Sequence, residues 1–295
     1  MTSSTLRIRS FAKINLALSV LGRRTDGYHQ IQTIFQTIDL FDTIEVRPAP
    51  ELELICEGLP DVRVEDNLVW KAASILKSTL AEDRGVSITL RKRIPAGAGL
   101  GGGSSNAAAA LLALRRFWNA GISDGDLSRL GASLGSDVPF FLSGGTALGS
   151  GRGEIIRSIP DIHPEHLVVI FPAVHVSTAE AYRSLNLGLT STSEDHRIHR
   201  FCGQLQEGTC RLTGIFNDFE ASILTAYPSI REAKEFLIER GATAALLSGS
   251  GSSVFGFFPG EESASAAARG SFREAWRVFP AKTLSRAEYF QNMFG

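Results

Sequence analysis

One glycine-rich stretch decides how the chain is interpreted: Ile94-Pro95-Ala96-Gly97-Ala98-Gly99-Leu100-Gly101-Gly102-Gly103-Ser104-Ser105-Asn106. An alanine- and leucine-rich run follows it as far as Leu114. Because alanine and leucine are strong helix formers, we predict a helix that begins near Ser104. Glycine leaves no Cβ between its N–H group and a ligand, and a helix N-terminus favours negative charge. The stretch therefore predicts a cradle for a polyphosphate.

A glycine run of this kind is also typical of a flexible linker. A linker does not usually lie between a strand and a strong helix, and here Val86, Ile88 and Leu90 alternate with polar residues as in a half-buried strand. The Walker phosphate loop is excluded, because no lysine follows the glycines. Gly97 to Gly102 match the dinucleotide pattern by letter, but that pattern follows a continuously apolar strand. Phosphate binding is the favoured interpretation.

The length and composition are typical of a globular protein. A chain of 295 residues has room for two domains or one large one, and 43% of its residues are hydrophobic and 21% charged. Thirty Lys and Arg against 31 Asp and Glu give a net charge of −1, so no basic field indicates a nucleic-acid partner.

Cysteine usage and the N-terminus indicate the compartment. Cys56, Cys202 and Cys210 form no Cys-x-x-Cys pair, which argues against a disulfide framework and a cysteine zinc site. The N-terminus lacks an apolar signal core. The uncharged stretches 94–114 and 241–260 are dense in Gly and Ser, so we predict buried loops that meet a helix or strand there. We expect a cytoplasmic protein with no membrane partner.

The first predicted strand, within residues 5–21, carries a polar pair. Its apolar residues alternate, which predicts one shared apolar face and places Lys13 and Asn15 together on the other face. These apolar residues are Leu6, Ile8, Ala12, Ile14, Leu16, Leu18 and Val20. The polar pair could reach a phosphate or a hydroxyl. Solvation of that face is the alternative, and the spacing alone favours it.

Two adjacent rings precede the second strand region, which we predict over Ile31 to Val46 with a turn at Asp39 to Asp42. Asp26-Gly27 is a turn signal that brings Tyr28 and His29 to the end of a loop. Such rings can sandwich a planar base. Ordinary packing of the rings is the alternative.

Cap residues and apolar periodicity predict several helices. Asn67 precedes a periodic run that begins at Leu68, and Ser123 precedes a helix through Leu134. A further amphipathic helix is predicted over Ile230 to Glu239.

Asp137 lies on a tight connection before an apolar segment. Pro139 predicts an extended conformation for Val138. A lone aspartate in such a place is usually a cap or turn residue, and the local sequence by itself favours that interpretation.

Glycine-rich turns and Ile159-Pro160 predict a domain boundary, which gives domains at 1–158 and 159–295. The polar segment 188–208 predicts an exposed loop, and a second glycine loop at Leu247 to Ser253 runs into a strand. The His-x-x-His pairs at 163/166 and 196/199 lack a cysteine or carboxylate framework, so they are weak metal candidates.

Four features in this order resemble the GHMP kinase superfamily, which includes galactokinase and the homoserine, mevalonate and phosphomevalonate kinases. They are Ala12-Lys13-Ile14-Asn15, Pro95 to Asn106, Gly135 to Phe141 and Ser248 to Ser253. Two more elements, Gly22 to His29 and Asn217-Asp218-Phe219-Glu220, are similar to the branch whose substrate is cytidine-diphosphate methylerythritol. The resemblance runs from about residue 8 to about residue 258.

The resemblance implies an α+β fold of two domains with ATP and substrate in the cleft between them. The N-terminal domain would be a ribosomal-protein-S5-domain-2-like ATP-binding domain, and the C-terminal domain would be a ferredoxin-like α/β domain. The implied activity is transfer of a phosphoryl group from ATP, with Mg²⁺, to the 2-hydroxyl of the methylerythritol unit.

The resemblance also implies roles for individual residues. Asp137 is the implied general base, with Lys13 beside it. The implied ATP contacts are Pro95, Ala96, Gly97, Ala98, Gly99, Leu100, Gly101, Gly102, Gly103, Ser104, Ser105 and Asn106, with Lys92 and Asn67 near the adenosine. The implied substrate contacts are Asn15, Tyr28, His29, Thr178, Tyr182, Gly249, Ser250 and Gly251.

One departure concerns the metal. Gly102 and Gly103 stand where the superfamily has serines, so the resemblance leaves open whether Ser104, Ser105 or neither helps to hold Mg²⁺. Two alternatives for the function remain. Another GHMP kinase, acting on mevalonate or homoserine, has no use for the aromatic pair. A non-catalytic nucleotide-binding module has no need of a base. The sequence leaves open whether the protein is a monomer or a homodimer.

Overall fold

The computed structural model of the protein describes residues 5–58, 62–185, 195–209, 212–269 and 273–294. Its strands are β1 (Leu6–Arg23), β2 (His29–Ala49), β3 (Leu52–Glu57), β4 (Gly85–Arg91), β5 (Thr146–Ser150), β6 (Ile155–Ser158), β7 (His166–Phe171), β8 (Phe216–Asn217), β9 (Ala244–Leu247), β10 (Val254–Phe258) and β11 (Arg277–Lys282). Its helices are α1 (Leu68–Leu80), α2 (Gly102–Phe117), α3 (Asp124–Leu134), α4 (Val138–Ser143), α5 (Thr178–Ser184), α6 (His196–Gln206), α7 (Glu220–Ala226), α8 (Pro228–Glu239), α9 (Glu261–Ala267) and α10 (Arg286–Met293).

Two sheets organise these elements. The first has the order β3-β4-β2-β1-β8, with β5 paired to β2 and β6 paired to β5. The second has the order β11-β7-β10-β9 and is antiparallel throughout. Helices separate β7 from β9 and β10 from β11, and the first strand of this sheet lies between the fourth and the third. That succession is ferredoxin-like, and the predicted α+β class is confirmed.

Apolar cores cover both faces of the first sheet. On one face, α1, α2 and α4 pack against apolar residues of β2 and β4, including the alternating Val86, Ile88 and Leu90. On the other face, Leu16 of the first sheet shares a core with Phe255 of the second. The long strands β1 and β2 are therefore buried on both sides over much of their length.

One prediction from the alternating pattern fails beside a bulge in β2. The register of β1 with β2 shifts between Phe11 and Ala12, and Asp39 and Leu40 of β2 have no partner in β1. Such a bulge bends and twists the paired strands locally. As a result, Ile8 lies in the core with α2, whereas Ile14 lies between the two sheets. The apolar residues of β1 do not share one face, and Lys13 turns toward the glycine-rich stretch.

The predicted turn at Asp39 to Asp42 is wrong. The strand β2 runs through these residues without interruption, and Phe11 pairs with Phe41 while the next residue of β1 pairs with Ile38. The same bulge thus accommodates the polar residues that indicated a turn. The consequence is that Asp42 lies inside the molecule at 1% exposure.

The predicted helix caps are confirmed. Asn67 Oδ1 accepts a hydrogen bond of 2.9 Å from the N–H of Val69 at the start of α1. Ser123 Oγ accepts one of 3.1 Å from the N–H of Asp126 in α3. The helix α2 begins slightly before the predicted Ser104, because Gly101 forms its N-cap in the left-handed conformation with φ 67°.

Two local predictions need correction. Val138 is the first residue of α4 rather than an extended residue, because a proline in the first turn of a helix needs no partner for its missing N–H. The segment 188–208 is not an exposed loop over 196–206, where the helix α6 buries Ile198, Phe201 and Leu205. Their helical spacing was the signal for this helix, although polar residues surround them.

The end of the chain returns to the first sheet. Tyr289 of α10 is 1% exposed. Its hydroxyl donates to the carbonyl of Phe141 at 2.5 Å, and its ring lies 5.6 Å from that of Phe11. The segment after the second sheet therefore packs on the predicted N-terminal domain. The boundary near residue 159 stays a prediction.

The two glycine-rich loops lock together and join the sheets. Ser253 donates its N–H to the carbonyl of Ala98 at 3.1 Å, and Ser248 Oγ donates to the carbonyl of Gly99 at 3.0 Å. A Cβ added at Gly99 would lie 2.0 Å from the carbonyl oxygen of Ser248. Only glycine permits this approach of two backbones. The uncharged stretches 94–114 and 241–260 meet here, next to α2 and β10.

Among the described residues, we find no helix with the length and apolar character needed to cross a membrane.

A charged cluster fixes α6 to the edge of the first sheet. Arg197 contacts the carboxylates of Asp195 at 2.7 Å and Asp218 at 3.0 Å. Ser19 Oγ donates to Asp195 Oδ2 at 2.6 Å, and Asp218 Oδ2 accepts from the N–H of Val20 at 2.9 Å. The guanidinium of Arg197 holds the pKa of the Asp195 carboxyl well below its usual range.

Replacing Asp195 by Asn tests this cluster. We expect the free energy of unfolding at pH 7 to fall by about 1–3 kcal/mol, since hydrogen bonds to a charged group are lost. The folded-state pKa is depressed, so the stabilisation is present above the unfolded value of about pH 4 and is lost as the pH falls toward the folded value. Denaturant unfolding at pH 7 and pH 3 should show a smaller deficit at pH 3.

The control is Asp66→Asn, which removes an exposed carboxylate paired with Arg63. Exposed pairs contribute about 0–1 kcal/mol, so this change should matter little. Equal losses in the two variants at pH 7 would contradict the structural role of Asp195.

Replacing Gly99 by Ala tests the contact between the glycine loops. The added Cβ would collide with the carbonyl of Ser248, and Gly99 also has φ 76°. We expect a loss of about 2–4 kcal/mol in the free energy of unfolding. The matched control is Gly103→Ala in the first turn of α2, where a Cβ finds its nearest atom, from Leu68, at 3.5 Å. If both variants melt like the wild type, the loops are not locked together.

Candidate active site

A cleft of about 1130 Å³ lies between the two sheets. Its walls come from β1 and β2, from both glycine loops, and from the start of α5. Among the predicted site residues, it is lined by Lys13, Asn15, Tyr28, His29, Gly97, Gly99, Gly101, Asp137, Thr178, Tyr182, Gly249, Ser250 and Gly251. Residues from distant parts of the chain therefore converge on one space.

Lys13 is buried, so the interpretation of its strand face as solvated is wrong. Lys13 is 4% exposed and Asn15 is 1% exposed. The two glycine loops cover this face: a Cβ at Gly101 would lie 3.1 Å from Lys13 Cγ, and one at Gly249 would lie 3.4 Å from Asn15 Oδ1. Burial lowers the pKa of the Lys13 ammonium below its usual value, and the nearby Asp137 carboxylate opposes this shift.

The ammonium of Lys13 has a defined set of partners. Its Nζ donates to Asn15 Oδ1 at 2.7 Å and lies 3.7 Å from Asp137 Oδ2. Asn15 Nδ2 in turn donates to Thr33 Oγ1 at 2.7 Å. The ring of Phe35 lies 5.5 Å from the ammonium. Asn15 thus orients Lys13, and Lys13 faces the Asp137 carboxylate.

Asp137 occupies the N-cap position of α4 without using its side chain as a cap. Its side chain is 30% exposed and faces the cleft. The carboxylate is therefore accessible to a ligand while its ion pair with Lys13 holds it from one side. The cap role that the local sequence favoured is not fulfilled by the carboxylate.

The glycine-rich loop wraps around Lys13. The carbonyl of Leu100 accepts from the N–H of Lys13 at 3.0 Å. A Cβ at Gly101 would lie 2.8 Å from the ring of Phe141, and one at Gly97 would lie 3.1 Å from His175 Nδ1. The loop backbone is thus free of side chains on its cleft side and leads directly into the N-terminus of α2. This arrangement suits a polyphosphate.

The two serines after the glycines differ in their surroundings. Ser105 is 1% exposed, donates to the carbonyl of Phe11 at 2.6 Å and contacts Ser10 Oγ at 2.7 Å. Ser104 is half-buried, on the side of α2 that faces Gly135. Ser104 is therefore the less buried of the two serines, and it has the more accessible hydroxyl.

A buried polar network supports the loop from behind. Asp42 accepts hydrogen bonds from the N–H groups of Arg93 at 2.6 Å and Ile94 at 2.8 Å. Its other oxygen contacts Lys92 Nζ at 2.5 Å and Asn106 Nδ2 at 2.8 Å. Lys92 and Asn106, both predicted ATP contacts, are thus engaged with Asp42. Their assignment to ATP stays a prediction.

Asn67, the other residue predicted near the adenosine, caps α1 and is 8% exposed. Its Nδ2 points to Cys56 Sγ at 3.8 Å. Cys56 and Cys202 are free thiols, and burial raises the pKa of both. Cys210 lies outside the described residues.

The aromatic residues at the cleft are arranged differently from a simple Tyr28–His29 pair. The ring of His29 stacks on that of Tyr182, with centroids 4.4 Å apart and an angle of 14°. Tyr28 is 55% exposed, and the guanidinium of Arg152 lies 4.7 Å from its ring. Burial, with a smaller effect from Arg23, lowers the pKa of His29. Burial and the Asp137 charge raise the pKa of Tyr182 to about 12.

The second glycine loop closes the site from the opposite sheet. A Cβ at Gly249 would lie 3.3 Å from Lys13 Nζ and 3.4 Å from Asn15 Oδ1. The hydroxyls of Thr178 and Ser250 lie 3.2 Å apart. The predicted substrate contacts of the second half of the chain therefore meet Lys13 and Asn15 across the cleft.

Sequence reasoning missed four residues of the site: Thr33, Asp42, Arg152 and His175. The glycines that flank Arg152 were a signal for a tight turn at the cleft. No local signal indicated the other three, because their roles depend on contacts with distant strands.

The histidine pairs do not form a metal site. Among the residues that the structure describes, no group of three or more His, Cys, Asp or Glu side chains could hold a metal ion.

The chain matches two family models. Residues 67–145 match the GHMP kinases N terminal domain, and residues 203–277 match the GHMP kinases C terminal domain. The first match contains the glycine-rich loop and Asp137. The second begins within α6 and includes the second glycine loop.

Named relatives are more specific. The chain is 43% identical over 261 residues to a 4-diphosphocytidyl-2-C-methyl-D-erythritol kinase of Solibacter usitatus, covering 87% of this chain and 82% of the relative. It is 45% identical over 255 residues to the kinase of the same name of Geobacillus kaustophilus, covering 85% and 87%. A crystal structure of 4-(cytidine 5'-diphospho)-2C-methyl-D-erythritol kinase superposes with a TM-score of 0.80 at 34% identity, covering 94% of this chain and 99% of that one. The chain therefore belongs to the GHMP kinase family and, within it, to the 4-diphosphocytidyl-2-C-methyl-D-erythritol kinases.

Proposed function

We propose that this chain transfers the terminal phosphoryl group of ATP to the 2-hydroxyl of 4-diphosphocytidyl-2-C-methyl-D-erythritol, giving the 2-phosphate and ADP. This reaction is a step of non-mevalonate isoprenoid precursor synthesis, and we expect it to occur in the cytoplasm, where ATP is available. The observation that carries the proposal is the Lys13–Asp137 pair at 3.7 Å in a cleft that also contains both glycine loops and the aromatic residues.

Asp137 is the proposed general base. Its carboxylate takes the proton of the 2-hydroxyl as the oxygen attacks the terminal phosphorus of ATP, and ADP leaves. A base needs only hydrogen-bond reach to the hydroxyl, and the 30% exposure of Asp137 toward the cleft permits it.

Lys13 has two proposed tasks. Its ammonium positions the Asp137 carboxylate through their ion pair, and it offsets negative charge near the phosphoryl group in transfer. Asn15 and Thr33 hold the ammonium in place. Since Lys13 is 4% exposed, its charge acts more strongly than it would in water.

The glycine-rich loop and the N-terminus of α2 supply the proposed phosphate site. Phosphoryl transfer depends mainly on positioning and on electrostatic stabilisation. Backbone N–H groups and a helix dipole provide both without a proton transfer. Lys92 and Asn106 contribute by holding the loop through Asp42.

The residues present fit a Mg²⁺ ion that is held largely by ATP. Ser104 is only half-buried and would be the serine to hold the ion, and a Mg²⁺ site of this kind needs only one or two protein groups besides phosphates. Ser105 is excluded by its two buried hydrogen bonds. When bound, the ion would neutralise charge on the phosphates.

Tyr28, His29 and Tyr182 form the proposed site for the cytosine. The exposed ring of Tyr28 offers a surface for stacking, and His29 and Tyr182 lie beside it. Thr178 and the loop of Gly249, Ser250 and Gly251 lie against the remaining substrate from the second sheet.

An ADP-release assay with Mg²⁺-ATP and a substrate panel tests the function. The panel holds the cytidyl methylerythritol, free methylerythritol, mevalonate and homoserine. Turnover with the cytidyl compound alone is the expected result. Turnover with mevalonate or homoserine instead would support the other kinase types, and ATP binding without turnover would support a non-catalytic module.

Replacing Asp137 by Asn tests the general base. We expect kcat to fall by about 10²–10⁴-fold, which is the usual contribution of such a group, while ATP affinity changes little. Steady-state kinetics and ATP titration measure the two effects. Asp124→Asn is the control, because that carboxylate is 91% exposed. A kcat near the wild-type value in Asp137→Asn would exclude the base role.

The pH dependence of turnover tests Lys13. Its charged form is the proposed active form, and burial lowers its pKa below 10.5 in the free enzyme, so kcat/KM should fall as the pH rises through a midpoint below 10.5. Lys13→Met should be slower by about 10²-fold and should lack this alkaline decline. Melting curves at each pH control for unfolding. An alkaline decline that persists in Lys13→Met would show that another group titrates.

A further inference from the structure

The turn between β5 and β6 forms part of the cleft wall, and no role has been given to its side chain so far. It consists of residues 150–154, Ser-Gly-Arg-Gly-Glu. The carbonyl of Gly151 accepts from the N–H of Ile31 at 2.8 Å, and the N–H of Gly153 donates to the carbonyl of Ser150 at 3.0 Å. The turn is therefore fixed to the start of β2, directly after Tyr28 and His29.

Arg152 projects from this turn over the ring of Tyr28. The guanidinium carbon lies 4.7 Å from the ring centroid, which is within the range of a cation–π contact. The guanidinium covers one face of the Tyr28 ring and leaves the other face to a ligand. Glu154 lies 3.6 Å from Arg152 Nε, and the Arg152 side chain is 33% exposed. The guanidinium is thus oriented but still open to the cleft.

The residue next to Arg152 lies against the other end of the site. A Cβ at Gly153 would be 3.9 Å from Asp137 Oδ1. Two consecutive residues thus connect Tyr28 with Asp137. Arg152 therefore lies along the path from the proposed cytosine site at Tyr28 to the proposed site of the reacting hydroxyl at Asp137.

The order in which the groups of the proposed substrate are bonded places its charged diphosphate on this path. Its diphosphate joins the cytidine to the methylerythritol unit, so a substrate with its base at Tyr28 and its 2-hydroxyl at Asp137 must pass the diphosphate between them. We propose that Arg152 is a specificity-determining residue that binds this diphosphate through its guanidinium, while its stacking on Tyr28 positions it. The inference rests on the proposed function.

Two other cations of the cleft are less suited. Lys13 is engaged with Asp137 and Asn15. The Arg183 side chain is 75% exposed, against 33% for Arg152, so it is less restrained. A planar guanidinium held on a ring loses little freedom when it binds phosphate oxygens in a bidentate manner. Arg152 combines this restraint with the required position.

The test compares cytidine with cytidine diphosphate as competitive inhibitors of turnover with the cytidyl substrate. The two ligands share the base and differ in the diphosphate, so the ratio of their inhibition constants reports the diphosphate contact. Arg152→Met should raise the inhibition constant of cytidine diphosphate by about tenfold and that of cytidine by less than about twofold, since one charge-assisted contact is lost. Arg152→Lys should keep part of the preference for cytidine diphosphate over cytidine. Arg183→Met is the matched control and should keep the wild-type ratio.

Salt provides a second readout. The preference of the wild type for the diphosphate should fall with added salt, whereas that of Arg152→Met should not respond, because the charge that is screened has been removed. KM for ATP should be the same in all variants.

Two results would overturn the inference while the proposed function stands. Equal weakening of cytidine and cytidine diphosphate would mean that Arg152 only shapes Tyr28. An unchanged ratio in Arg152→Met, with a reduced ratio in Arg183→Met, would place the contact at Arg183. Failure of both ligands to compete in the wild type would instead reject the cytidyl substrate, and with it the basis of the inference.

Discussion

A buried ammonium group is the constraint on which the arrangement of this protein depends. Removing a charge from water costs several kcal/mol, so Lys13 at 4% exposure requires compensation from its surroundings. Asn15, Asp137 and the face of Phe35 supply it. These groups come from the first strand, the second strand and the start of a short helix. The burial of one charge therefore organises the floor of the cleft.

Glycine explains how the rest of the chain comes close to that charge. The first glycine loop crosses over Lys13, and the second approaches its Nζ so closely that a Cβ at Gly249 would lie 3.3 Å away. Because the two loops also bind each other through Ala98 and Ser253, the glycine-rich stretch and the ferredoxin-like sheet are joined directly.

Behind the loop, the buried side chain of Asp42 also joins separate parts of the chain. A single buried carboxylate holds the backbone of residues 93 and 94, the ammonium of Lys92 and the amide of Asn106. All of its hydrogen-bonding capacity is used, as a buried carboxylate requires. The loop can therefore present its glycine backbone to a ligand while its two ends stay fixed.

The sequence by itself determined the glycine-rich loop, the caps at Asn67 and Ser123, the helix that follows the loop, and the family. Each of these depends on local conformational preference or on a motif with fixed spacing. Only the tertiary structure decided that Lys13 is buried, that Ser105 is engaged while Ser104 is accessible, and that Arg152 lies on Tyr28. The glycine loops cover the face of β1 that carries Lys13 and Asn15, and a bulge in β2 accommodates the residues that indicated a turn at Asp39 to Asp42. Spacing reports which residues share a face, but the elements that cover that face come from distant parts of the chain.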